Sequence, residues 1–195
     1  RRYGELGMRL AQLARGEDRR RIDVSRPTKS ISSETTFNTD LHDFETLSTH
    51  LLALCEKISL RMKQRHFVGH TVTLKLKTAG FRSRTRARHL TLPTQLAHVI
   101  YETATSLLQR EVDGTAFRLI GVGMGSLEET DTDDPVDLLE PAIARKAAAE
   151  RAMDRVREKF GPDALVRGKL YRQKRNENVS SAQTSTSRGR RDETD

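Results

Sequence analysis

The chain has 195 residues, with 35 Lys+Arg against 27 Asp+Glu, a formal net charge of +8 and a pI near 10.0, which points to an anionic partner, most simply nucleic acid. A hydrophobic fraction of 35% and a charged fraction of 32% fit one domain of ordinary size, with a modest core and long solvated segments. A single cysteine, Cys55, excludes an internal disulfide and fits a reducing cytoplasm, and no apolar run approaches the roughly 20 residues of a membrane span.

Arg1 and Arg2 run straight into a helical pattern without a signal peptide, as expected for an excerpt of a longer polypeptide. Residues 3–15 place Leu6, Leu10, Leu13 and Ala14 on one helical face, with Gly16 as the stop. One short helix cannot bury that face alone, so it belongs with something upstream. Residues 17–28, with Arg19, Arg20 and Arg21, read as a charged tether ending at Pro27.

"KSISSETTF", Lys29 to Phe37, is rich in β-branched and hydroxyl residues and predicts a strand. Asp40 and Asp43 offer N-caps for a helix over Phe44–Gln64, whose stripe is Phe44, Leu47, Leu51, Leu54, Ile58 and Met62. Cys55 flanks that stripe as a buried thiol, and Gly69 breaks the pattern. "HTVTLKLKT" then alternates, with Val72, Leu74 and Leu76 on one face and Thr71, Thr73, Lys75 and Lys77 on the other.

Ala79 to Phe81 read as a turn with Phe81 packed in the core, and Arg82 to Leu92 as the next strand. Leu90 and Leu92 share parity with Arg82, Arg84, Arg86 and Arg88, which calls for a bulge near Arg88 and His89. Pro93 and Thr94 open a second helix reaching Gln109, with Leu96, Val99, Ile100, Thr103 and Leu107 inward. After a turn at Asp113–Gly114, "AFRLIGVGM" is a buried strand. "SLEETDTDDPVDLLEP" is an acidic linker. Residues 142–160 form a helix with Met153, Val156 and Phe160 inward, stopped at Gly161–Pro162, and the tail from Arg172 is disordered.

The order over residues 29–124 is β-α-β-β-α-β, an α+β, ferredoxin-like arrangement in which both helices cover one sheet face. The other face is then free to carry Lys75, Lys77 and the arginines of "KLKTAGFRSRTRARHL". Cations two residues apart, roughly 6.5–7 Å, match the scale of successive phosphates along a nucleic-acid strand. The face lacks stacking aromatics, so it is expected to grip a backbone without reading bases. Cations guarding an edge strand against aggregation are the competing structural explanation, but one or two would suffice for that. A ferredoxin-like adaptor for an acidic protein and an RNA-binding module are the alternative functions.

Catalytic chemistry finds no footing. "GVGMG" (Gly121–Gly125) has the wrong spacing for a dinucleotide fingerprint and reads as small residues at a strand end. The six histidines show no paired ligand spacing. Asp131, Asp133, Asp134 and Asp137 lack the glycine and terminal glutamate of a calcium loop. No catalytic or metal-binding residue is assigned.

"LARGEDRRRIDVSRPTKSISSETTF", "TVTLKLKTAGFRSRTRARHLTLPT" and "RLIGVGMGSL" resemble the Y-family translesion DNA polymerases, in particular the bacterial polymerase IV group. "AAAERAMDRVREKFGPDALVRG" is similar to the C-terminal extension of these enzymes. The resemblance implies the end of a thumb domain (1–16), a basic tether (17–28), a little finger (29–126), an acidic linker (127–141), a helical extension (142–171) and a disordered tail (172–195). It implies contacts to the DNA backbone from Lys29, Ser30, Ile31 and Ser32 on the first strand. Lys75, Lys77, Arg82, Arg84, Arg86 and Arg88 would follow on the DNA-facing sheet.

It further implies that the Mg2+-binding carboxylates belong to the palm, so this chain holds no cofactor and alone does not polymerise DNA. Asp137, Leu138 and Leu139 match in kind the family's motif for docking on the sliding clamp. Pro135 stands for its glutamine and Leu139 for its aromatic, so clamp docking and a plain linker both remain open. The implied setting is a monomer in the bacterial cytoplasm.

Overall fold

The computed structural model describes residues 3–21, 27–130 and 141–172. Its elements are α1 (Gly4–Ala14), β1 (Ser30–Leu41), α2 (Phe44–Gln64), β2 (Phe67–Thr78), β3 (Ser83–Thr94), α3 (Ala97–Gln109), β4 (Phe117–Glu129) and α4 (Pro141–Phe160). The expected β-α-β-β-α-β order is present. The strands form one antiparallel sheet in the order β1-β4-β2-β3. β1 and β2 flank β4 and are therefore parallel to each other, with α2 as their crossover. β3 and β4 flank β2 in the same way, with α3 between them. Two split βαβ units interleave, and β1 and β3 form the edges.

The helices lie where their patterning puts them. Asp43 accepts the Thr46 N–H at 2.7 Å and starts α2, and the stripe Leu47, Leu51, Leu54, Ile58 and Met62 is buried. With Ile100, Ala104 and Leu108 of α3 it covers Val72, Leu74 and Leu76 of β2 and Ile120, Val122 and Met124 of β4. Cys55 is fully buried within this layer, and burial pushes its thiol pKa up, so it is inert. α1 ends in a left-handed Gly16 (φ 77), with the Gly16 N–H bonded to Leu13 O and the Glu17 N–H to Gln12 O. None of its residues is buried.

Three expectations change. Pro93 and Thr94 belong to β3, because Thr94 pairs with Gly69, and α3 begins only at Ala97. β4 runs on through Leu127, Glu128 and Glu129, which pair with Gly69, Val68 and Phe67, so the linker starts later than expected. The strand continues because Leu127 still reaches the core.

The third change concerns α4, which does not dock through an apolar stripe. Of the expected inward residues Met153 and Val156 are half-buried and Phe160 is 67% exposed, and among its described side chains α4 buries Ala147 and Glu150. Glu150 accepts from Ala97 N (2.8 Å), His98 N (3.3 Å) and Ser59 Oγ (3.2 Å), and pairs with Lys63 (2.7 Å). It thereby supplies the cap that Leu96, at the α3 N-terminus, has no side-chain group to provide. Asp154 adds a second bond to Lys63, and Glu56 of α2 holds Arg157 and Arg167. Residues 131–140, including Asp137, Leu138 and Leu139, and the tail 173–195 lie outside the described residues.

Candidate nucleic-acid interface

Directly opposed residues in a sheet share a face, so the register sorts every side chain. One set of rows reads Ile31–Met124–Val72–Arg88, Ser33–Val122–Leu74–Arg86 and Thr35–Ile120–Leu76–Arg84. These rows carry the core and face the helices. The other set reads Ser30–Gly125–Thr71–His89, Ser32–Gly123–Thr73–Ala87, Glu34–Gly121–Lys75–Thr85 and Thr36–Leu119–Lys77–Ser83. This is the open face.

The expected single ladder of cations is therefore divided. Lys75 and Lys77 lie on the open face, whereas Arg84, Arg86 and Arg88 extend the apolar rows on the helix side of edge strand β3. Arg84 lies over the Phe117 ring (5.7 Å) and pairs with Asp113 (3.3 Å) and Glu111 (3.7 Å). Arg86 pairs with Glu111 at 2.7 Å. Glu111 is 7% exposed, so these guanidinium groups complete the rim of the core and neutralise a buried acid. They also put charge on an edge strand, the competing explanation weighed above. Hydrogen bonds from Thr115, followed by the Arg84 contact, hold the Asp113 carboxyl down to about 2.

Arg84→Ala is thus expected to destabilise the fold by about 1–3 kcal/mol, because Glu111 loses a partner and the Phe117 ring its cover. Chemical denaturation measures this; an unchanged midpoint would contradict the rim role. The reversal Arg84→Glu would add repulsion against Glu111 and Asp113, so it cannot serve as a fold-neutral probe of binding.

The open face has a distinct relief. Gly121, Gly123 and Gly125 line one side of the central strand β4 and leave a trough of about 270 Å³. Ser30, Ser32 and Glu34 wall it on one side, Thr73 and Lys75 on the other. A Cβ on Gly121 would lie 2.8 Å from the Glu34 Cβ, so only glycine lets β1 keep Glu34 there. Lys75 Nζ reaches across to Glu34 at 2.8 Å, with both groups half-exposed. Ile31, by contrast, is buried in the core and offers an approaching ligand only its backbone. Lys29, Arg82 and Arg88 are exposed and make no ion pair among the described residues.

Sequence reasoning missed two features. The glycines of "GVGMG" repeat every second residue, which places all three on one strand face, and that spacing was legible. Phe81, expected in the core, is 63% exposed in a left-handed conformation (φ 64) that costs a bulky residue about 1–2 kcal/mol. Its ring is held by Arg118 (4.2 Å) and Lys77 (5.3 Å). No sequence signal gives that orientation, because it depends on the turn closed by Thr78 N–H to Arg82 O (2.9 Å) and Phe81 N–H to Thr78 O (2.9 Å).

His70 and His89 stack at 5.4 Å, and His70 lies 3.3 Å from Glu128. Among the described residues no group of three or more His, Cys, Asp or Glu side chains could hold a metal ion. Within the same residues no helix is long and apolar enough to cross a membrane.

Residues 28–138 match the impB/mucB/samB family C-terminal domain. The chain is 45% identical over 186 residues to a DNA polymerase IV of Brucella melitensis, covering 95% of this chain and 41% of that protein. It is 46% identical over 171 residues to DNA polymerase IV 1 of Mesorhizobium japonicum, covering 88% of this chain and 39% of that protein. The chain thus spans about two fifths of the length of these curated relatives. A solved complex of the beta-clamp processivity factor with the little finger domain of PolIV aligns with a TM-score of 0.45 at 18% identity, over 56% of this chain and 98% of that one. The polymerase resemblance carried by Leu13–Phe37 and the later strands is borne out. The chain belongs to the impB/mucB/samB family and carries its C-terminal domain.

Proposed function

We propose that the open sheet face seats the sugar–phosphate backbone of a primer-template duplex, as the DNA-gripping little finger of a Y-family translesion polymerase. One observation carries the reading. The register gathers Ser30, Ser32, Thr71, Thr73, Lys75 and Lys77 on a single uncovered face, over a floor of glycine backbone. Hydroxyl and ammonium groups donate to phosphate oxygens whatever the base, so such a face holds and positions DNA without selecting sequence. Within these rows only His89 carries a ring, which leaves the face poorly equipped to stack on bases.

Lys29 and Arg82 are exposed cations just ahead of β1 and β3, outside the strict alternation of the strands, and Arg118 shares the Phe81 ring with Lys77 of the open face (4.2 and 5.3 Å), so further cations stand at the ends of the rows. Nucleotide transfer, its Mg2+ and the bypass of damaged templates belong, on this proposal, to the longer polymerase to which the domain contributes its grip. Docking on the sliding clamp through Asp137, Leu138 and Leu139, a monomeric state and a place in the bacterial cytoplasm complete the proposal.

Salt dependence tests it directly. With four or five phosphates neutralised by Lys29, Lys75, Lys77, Arg82 and Arg118, log K is expected to fall against log salt with a slope of about −4. Scrambling the DNA sequence should leave K unchanged. Fluorescence anisotropy of a labelled primer-template measures both. A slope near zero would contradict the electrostatic grip, and a strong sequence preference would contradict backbone recognition.

A further inference from the structure

A hairpin tip gains nothing by holding a large aromatic ring in water in a left-handed backbone conformation. The β2–β3 turn does this with Phe81 (φ 64, 63% exposed), although Gly80, which tolerates such a conformation freely, stands beside it. The ring is attended by cations. The Arg118 guanidinium lies 4.2 Å from its centroid and the Lys77 ammonium 5.3 Å, and neither makes an ion pair among the described residues. Lys77 belongs to the open face, through its row with Leu119 and Thr36, so the ring borders that face rather than lying in its middle. An aromatic beside unneutralised cations suits a nucleobase whose own phosphates the cations can meet. An internal paired base is stacked on both sides and offers no free π-face, so apart from the end pairs that any duplex has, only an unpaired base can use the ring.

We propose that Phe81, with Arg118 and Lys77, is a stacking platform for one unpaired nucleobase of the DNA held on the open face. The domain would therefore distinguish DNA with a single-stranded segment from fully paired DNA. This rests on the proposed DNA grip and adds to it a preference that the sheet rows cannot produce.

The test uses the whole chain with two labelled DNAs carrying the same number of phosphates, a blunt duplex and a primer-template with a longer template strand whose overhang carries 2-aminopurine. The unsubstituted chain is expected to bind the primer-template more tightly and to change the 2-aminopurine emission on binding. Phe81→Ala should lose that preference, by roughly 5- to 150-fold given the usual strength of base–aromatic stacking, and keep its blunt-duplex affinity. Phe81→Trp should restore it. Phe81→Gly, which removes the ring and the strain together, should melt higher than Phe81→Ala and still lose the preference, which separates the ring's role from folding. Equal affinity of the unsubstituted chain for both DNAs, or a preference that survives Phe81→Ala, overturns the platform and leaves the grip standing. Failure to bind either DNA overturns both.

Discussion

Glu150→Ala is expected to be among the most damaging single substitutions in the chain, costing about 3–5 kcal/mol. That is a large share of the 5–15 kcal/mol available to a typical domain. Glu150 is 4% exposed and serves two elements at once. It caps α3 through the Ala97 and His98 N–H groups, and it neutralises Lys63 of α2. Truncation leaves the donors at the helix start unpaired and a half-buried ammonium with Asp154 alone, and it releases a tie between α4 and the domain. The melting temperature should fall by on the order of 10 °C. Glu150→Gln, which keeps an acceptor and loses the charge, should cost less.

The same residue sets a pH dependence. Burial alone would raise the carboxyl pKa of Glu150, but the His98 hydrogen bond, the Lys63 ammonium and the Ala97 N–H outweigh burial and hold it well below the usual carboxylate range. Its folded value is thus depressed relative to an unfolded value of about 4.3. The stabilisation is complete above that value and is lost as pH falls through it toward the lower folded one. Denaturant midpoints from pH 7 to pH 3 should decline for the unsubstituted chain, with a shallower decline for Glu150→Gln. Identical slopes would remove Glu150 from the acid response.

The second large effect concerns binding. Reversing both open-face lysines, Lys75→Glu with Lys77→Glu, should weaken DNA affinity by at least about 100-fold at low salt. Each phosphate contact contributes on the order of a kilocalorie per mole there, and each reversal replaces an attraction with a repulsion. Both side chains project from the open face of β2, opposite the layer that holds Leu74 and Leu76 in the core, so the fold should tolerate the change. Circular dichroism would confirm that, and anisotropy would measure the loss. Lys75→Glu also meets Glu34 across Gly121, so it should dominate the pair.

The sequence disclosed the elements far better than the faces they present. The ends of α2 were legible because Asp43 caps it and its stripe repeats at helical spacing. The side on which β3 shows its arginines was not, because one residue of register exchanges the two faces and register is set by the turn. A clue was present in Leu90. It shares parity with Arg84, Arg86 and Arg88 and packs against the core, so the arginines had to lie on the core side as well. A bulge near Arg88 and His89 would have parted Leu90 from the arginines, but the irregularity of this pair lies after His89, beyond them. The seat of α4 was hidden for another reason. Its contacts repeat at helical spacing through Ala147, Glu150, Asp154 and Arg157, a mostly charged stripe that hydropathy assigns to solvent.

Whether the open face or the arginine edge seats the nucleic-acid backbone can be read from the salt slope of two neutralised variants. Lys75→Gln with Lys77→Gln should flatten the slope of log K against log salt by nearly two, about 0.9 per lost contact, at unchanged stability. Arg84→Gln with Arg86→Gln should keep the slope of the unsubstituted chain while lowering the denaturation midpoint. The reverse pattern, a slope that follows the arginines and ignores the lysines, would move the backbone's seat to the edge of β3.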